Sequence, residues 1–306
     1  MKWLITGCHG FLGSSFAAHA AAQGHEILGL ARSSQAPLDW KGAYLSADVA
    51  VSELAQVIRD FAPDAVLHAA GSASVAASFQ SPHDDFRASM AAWSNVLDAI
   101  RRSGISPVVF FPSSAAVYGQ PESLPVSETS APNPLSPYGY HKYGGEILAE
   151  SYAKFFGLRI VLLRLFSIYG PRQRKLFLWE VYRQIRHAAA RVELMGTGKE
   201  TRDFLHIDDL ASAILLLSGI AFEESAPLLL NVARGEEQTV LSVARSILHL
   251  SGSSLPLMCK GEAHAGNPDR WAADITKLQG LLPQWQPRSF EESLRETISD
   301  WGKLPA

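Results

Sequence analysis

A short apolar strand that runs straight into three glycines spaced three apart leaves a chain few folds to choose from. Residues 2 to 13 read Lys-Trp-Leu-Ile-Thr-Gly-Cys-His-Gly-Phe-Leu-Gly. Trp3 to Ile5 have the pattern of a buried strand, Gly7, Gly10 and Gly13 follow, and an alanine-rich helical stretch then runs to near Gly24. In a strand–turn–helix each glycine has a separate task. Gly7 permits the tight turn, Gly10 lets backbone approach a pyrophosphate, and Gly13 lets helix and strand pack closely. The free N–H groups of the first helical turn, at Phe11 and Leu12, face the anion. The spacing therefore predicts a dinucleotide cradle at the head of an α/β fold with a doubly wound parallel sheet.

The next two hundred residues are consistent with that start. His25 to Leu30 read as a second strand, a third ends at Asp48-Val49, and a helical segment from Ser52 to Phe61 leads to a fourth strand, 64 to 68. The end of the second strand selects the dinucleotide. A carboxylate there would bind the ribose diol of NAD, but this chain has Ala31-Arg32-Ser33-Ser34. A guanidinium and hydroxyls without an acid favour the 2′-phosphate of NADP(H), with Arg32 and Ser33 as its contacts and NAD as the alternative. Asp48 and Val49 are placed against the adenine, and the small residues Ala69, Ala70 and Gly71 let backbone approach the cofactor. His68 reads as a structural histidine at a strand end rather than as a catalyst.

Composition narrows the partner. With 306 residues, 47% of them hydrophobic, and a net charge of −3, the chain can bury a large core. It carries no electrostatic footprint for nucleic acid or an anionic membrane. Cys8 and Cys259 lie far apart, so a disulfide framework is not expected and a reducing, cytoplasmic setting is. The apolar run before Cys8 is too short for a signal sequence, no stretch has the length of a membrane span, and no metal site is expected.

Phe79 to Ser103 reads as one long helix that begins after the breaker Ser81-Pro82, with Phe86, Met90, Trp93, Leu97 and Ile100 on its apolar stripe. A fifth strand, Val108 to Phe111, opens into Ser113-Ser114, at the sheet edge where such folds bind ligands. The Pro- and Ser-rich segment 120 to 137 reads as a loop before a helix that starts near Tyr138. Tyr138 and Lys142 are four residues apart and so lie one turn above each other. A tyrosine exchanges protons usefully at neutral pH only if a cation supports its phenolate, and Lys142 is placed to be that cation.

Taken in order, these features resemble the extended short-chain dehydrogenase/reductases, the NAD-dependent epimerase/dehydratase group that acts on nucleotide sugars. The resemblance covers nearly the whole chain. It runs through Gly7-x-x-Gly10-x-x-Gly13, Asp48, 68 to 71, 113 to 119, and Tyr138 with Lys142. It continues through 164 to 173, 201 to 204 and Asp208-Asp209.

The resemblance implies a Rossmann-type domain, mainly residues 1–166, and a smaller mixed substrate domain, mainly 167–306, with segments that return to the sheet. It also implies Ser114, Tyr138 and Lys142 as the catalytic triad, with Arg202 on the diphosphate of the sugar nucleotide and Ser167 beside the substrate. Ala115-Ala116 stand where family dehydratases carry Asp-Glu, which argues against a 4,6-dehydratase. His264 and Asn267 replace a frequent arginine and aspartate, which leaves Arg270 as a candidate phosphate ligand. The leading expectation is an NADPH-dependent reductase of a 4-keto sugar nucleotide. The alternatives are a 4-epimerase with tightly bound NAD and a non-catalytic dinucleotide sensor. A homodimer through the two long helices is the family's habit.

Overall fold

In a computed structural model, described over residues 1–187, 190–221, 225–261, 266 and 268–304, the chain alternates strand and helix from its start. In order come β1 (Lys2–Thr6), α1 (Phe11–Ala22), β2 (Glu26–Ala31), β3 (Ala43–Ser46), α2 (Ala55–Phe61), β4 (Ala65–His68), α3 (Val75–Gln80), α4 (Pro82–Phe86), α5 (Ala92–Ser103) and β5 (Val108–Ser114). Next are α6 (Pro137–Phe156), β6 (Arg159–Leu165), β7 (Ser167–Tyr169), α7 (Leu176–Arg186), β8 (Val192–Leu194), β9 (Thr201–His206) and α8 (Ile207–Leu217). The chain continues with β10 (Leu228–Val232), β11 (Glu237–Thr239), α9 (Val240–Leu250), β12 (Leu257–Cys259), α10 (Thr276–Leu281) and α11 (Phe290–Gly302).

Seven strands form one sheet in the order β10-β6-β5-β4-β1-β2-β3, and every pair in it is parallel. A parallel sheet must be covered on both faces, and its strands read as unbroken apolar runs. That holds here: Trp3 and Ile5 point into one core with Phe16 and Leu210, while Leu4 points into the other with Trp93 and Leu97. The order reverses at β1, whose neighbours are β2 and β4, so a crevice opens at the carboxyl ends of these strands. A smaller mixed sheet, β11-β9-β7, packs with α7, α9 and α11 around a third core that contains Tyr169, Phe204 and Trp301. β10 leaves that region to complete the large sheet.

Two expectations need correction. The third strand ends at Ser46, ahead of Asp48-Val49. The stretch 79 to 103 is not one helix. α3 stops at Ser81, Pro82 starts α4, and one π-helical turn, Arg87–Ala91, separates α4 from α5. The wider turn inserts a residue into the 3.6 spacing, so Phe86 leaves the stripe and is exposed while Trp93, Leu97 and Ile100 stay buried.

Candidate active site

Gly7 adopts φ +68°, and a Cβ there would fall 2.5 Å from the backbone nitrogen of Ala70. A Cβ on Gly13 would fall 2.5 Å from the carbonyl oxygen of Gly7. Both glycines therefore act through close backbone packing, which brings the first turn of α1 against the end of β4. That turn begins at Gly10 with no side-chain cap and no acidic residue. Its N–H groups are thus left for an anion, and the residues fit a bound pyrophosphate.

Gly10, Phe11 and Leu12 form one end of a cavity of about 720 Å³. Ala69, Ala70 and Gly71 line it beside them, then Ser114, Tyr138 and Lys142, and further along Ser167 and Arg202. These eleven expected residues share one continuous space. Others do not line it. Arg32 and Ser33 are exposed beyond β2, where the Ser33 carbonyl accepts the Tyr44 hydroxyl at 2.6 Å. Asp48 accepts the Ala50 N–H and lies 3.6 Å from Arg87, and Val49 is buried under Asn95, which donates to its carbonyl.

Arg270, the candidate phosphate ligand, does not line the cavity. Its guanidinium is forked onto Glu237 at 2.7 and 2.6 Å on the surface. His264 and Asn267 lie outside the described residues.

In the middle of the cavity the end of β5 faces the start of α6. Ser136 caps α6 by accepting the Gly139 N–H, and Pro137 occupies the first turn, so Tyr138 sits at the helix entrance. Desolvation pushes its phenol up to about 12, against the neighbouring Ser114 hydroxyl, which favours the phenolate. Lys142 donates to the Pro112 carbonyl at 2.7 Å, and its ammonium lies 5.8 Å from the centre of the Tyr138 ring. Burial pulls Lys142 down to about 8, against the opposing charges of Asp85 and Glu146. His68 is buried beside the stacked rings of Trp93 and Phe111, with Nδ1 3.0 Å from the Thr6 hydroxyl. Its pKa falls to about 3, mainly through burial, so it stays neutral and supports the structural reading.

Three features were not read from the sequence. Glu146, one turn after Lys142, accepts from Ser113 at 2.5 Å and from the buried Arg164 at 2.7 and 3.0 Å, which ties α6 to β5 and β6. The i+4 spacing from Lys142 was the available signal. The second is the setting of Arg202, beside an Asp203 that accepts three backbone N–H groups. Its guanidinium lies 5.1 Å from the centre of the Trp271 ring and donates to the Thr201 carbonyl. The third is a contact between Asp85 and His141.

The profile of the NAD dependent epimerase/dehydratase family matches residues 3–233. This chain belongs to that family. Among its relatives, a putative UDP-glucose 4-epimerase of Methanocaldococcus jannaschii is 28% identical over 98% of this chain and 98% of its own length. A GDP-6-deoxy-D-mannose reductase of Pseudomonas aeruginosa is 28% identical over 78% of this chain and 80% of its own. The solved structure of MoeE5 in complex with UDP-glucuronic acid and NAD superposes with a TM-score of 0.89 at 26% identity, covering 99% of both chains. The chain is thus an enzyme of the extended nucleotide-sugar epimerase/reductase type with a Rossmann-type fold. Among the described residues no helix is long and apolar enough to cross a membrane.

Proposed function

We propose that the chain is a nucleotide-sugar 4-epimerase that retains NAD. The reading is carried by the convergence of Ser114, Tyr138 and Lys142 in one cavity between the glycine cradle and Arg202. Whole-length likeness to 4-epimerases favours it over the reductase expected from sequence. The dinucleotide supplies hydride chemistry when bound. Tyr138 exchanges the proton of the sugar's C4 oxygen, Ser114 hydrogen-bonds that oxygen, and Lys142 contributes positive charge beside the phenol. Arg202 presents a planar fork of donors to the diphosphate, and Trp271 holds that fork flat.

Protein released from its bound nucleotide by denaturation should yield NAD. The native enzyme should interconvert UDP-glucose and UDP-galactose, or another C4 pair, with no cofactor added. Tyr138→Phe should lower turnover by about 10²- to 10⁴-fold. Turnover that survives this change would remove the proposed proton carrier.

A second reading has an observation of its own. Ala31-Arg32-Ser33-Ser34 place no carboxylate at the end of β2, which suits NADP(H) and reduction of a 4-keto sugar nucleotide. Recovery of no nucleotide, together with NADPH oxidation on a 4-keto substrate, would favour it.

Residues 1–166 would form mainly the dinucleotide domain and 167–306 mainly the substrate domain, with β10 returned to the large sheet. A homodimer is supported by Tyr140, Ile147 and Phe155, exposed along α6 at intervals that keep them near one face, and sedimentation would test it. A reducing, cytoplasmic setting agrees with Cys8 and Cys259 as free thiols.

A further inference from the structure

α4 is a five-residue helix, and its one buried side chain is a carboxylate. Asp85 is 2% exposed, and its Oδ2 lies 2.5 Å from Nδ1 of His141. Its other oxygen, Oδ1, is buried with no partner among the described residues. His141 is the residue immediately before Lys142, and the edge of its ring is covered by Phe86, 5.5 Å away. Next to this contact, the Ser78 hydroxyl of α3 accepts the backbone N–H of Tyr138 at 3.1 Å. The segment from α3 to α4 thus grips the first turns of α6 at two points, the backbone of Tyr138 and the side chain of His141 between Tyr138 and Lys142.

A buried carboxylate is costly unless something uses its charge. We propose that the Asp85–His141 pair is a positioning element of the reaction centre. Asp85 supplies a fixed negative charge that keeps Lys142 in its ammonium form, and His141 holds Asp85 in place. The proposal deepens the epimerase reading, since it concerns the same site.

The charged and titratable surroundings of Lys142 are few. On α6 they are Tyr138, His141 and Glu146. β4 contributes the neutral His68, α4 contributes Asp85, and the β5 contact is the Pro112 carbonyl. Burial opposes the ammonium, and the negative charges of Asp85 and, more weakly, Glu146 support it. Glu146 is shared with Arg164 and Ser113, whereas Asp85 meets a single histidine. The role of Asp85 is electrostatic and geometric, and it touches no reacting atom.

Acetylation of Lys142 by acetic anhydride, followed by mass spectrometry across pH, reads the lysine without any activity assay. In the wild type the midpoint should lie near 8. In Asp85→Asn, which preserves shape, it should fall by about one pH unit. His141→Ala removes the group that holds the Asp85 carboxylate in place, and should cause a similar fall. His141→Gln, which keeps an N–H for Asp85, should restore the wild-type midpoint. A purely structural pair would leave the midpoint in place while lowering the melting temperature.

An unchanged midpoint in folded Asp85→Asn would overturn the proposal. If that variant does not fold, equal midpoints in His141→Ala and His141→Gln would overturn it. Should the wild type prove inactive on every sugar nucleotide, the epimerase reading fails while the Lys142 titration still decides this one.

Discussion

Lys142 should make the protein less stable than it would be without it. In an unfolded chain the lysine keeps its ordinary value of 10.5, whereas in the fold burial pulls it to about 8. At roughly 1.4 kcal/mol per pH unit this gap corresponds to about 3 kcal/mol. The sign follows from proton counting. Below about pH 8 both states hold the proton, and the folded state bears the full cost of a buried ammonium. Between about 8 and 10.5 the unfolded state binds a proton that the folded state has released, so stability rises with pH through that window and the cost disappears above it.

Lys142→Met keeps the length of the side chain and removes the charge. It also removes the 2.7 Å hydrogen bond to the Pro112 carbonyl, worth about 1 kcal/mol. The net expectation at pH 7 is a gain of about 2 kcal/mol, or roughly 4 °C in melting temperature for a chain of this size. Differential scanning calorimetry of both proteins at pH 7 and pH 10 is the assay. The variant should melt higher at pH 7, its advantage should vanish or reverse by pH 10, and its turnover should be lost. A Lys142→Met protein that melts no higher than wild type at pH 7, or an advantage independent of pH, would refute the reasoning.

Arg202→Lys should raise the KM for a sugar nucleotide about 10- to 100-fold with a smaller change in kcat. An ammonium can neither fork onto a diphosphate nor stack on Trp271, and steady-state kinetics would show the split. Glu146→Ala leaves Arg164 buried without its carboxylate and should cost about 3–5 kcal/mol, read as a shift in urea midpoint. Gly7→Ala places a methyl group 2.5 Å from the Ala70 nitrogen at a φ of +68°, so the soluble yield should collapse or the dinucleotide should no longer be retained.

What could be read in advance depended on how local the cause was. The glycine cradle, the alternation of strands and helices, and the Tyr138–Lys142 spacing are written within a dozen residues each, and the parallel sheet follows from them. Ser114, Arg202 and Ser167 could be assigned only through the order of family motifs, because their meeting depends on β5, β7 and β9 converging on one crevice. For the same reason the charge of Arg270 is visible in the sequence, but its distant partner Glu237 is not. The π-helical turn at 87 to 91 was missed because one inserted residue is invisible to a periodicity count. Asp85 and His141, 56 positions apart, became a pair only once that turn had brought α4 toward α6.

The charge pattern at the centre also bears on which direction of chemistry the chain prepares by itself. Burial pushes the Tyr138 phenol up, the Ser114 hydrogen bond pulls it down, and Asp85 pushes it up again, leaving it at about 12. Lys142 is 5.8 Å from the ring and does not reverse this. The side chains alone therefore hold Tyr138 protonated, as a donor suited to an alkoxide that forms at C4. Taking a proton from a sugar hydroxyl, the first half of an epimerisation, requires more positive charge beside the phenol than the chain supplies. An oxidised nicotinamide carries such a charge, so the epimerase reading demands that the dinucleotide be retained in its oxidised form, whereas the reductase reading makes no such demand. The two functions consequently differ less in their catalytic residues than in which dinucleotide stays bound between turnovers.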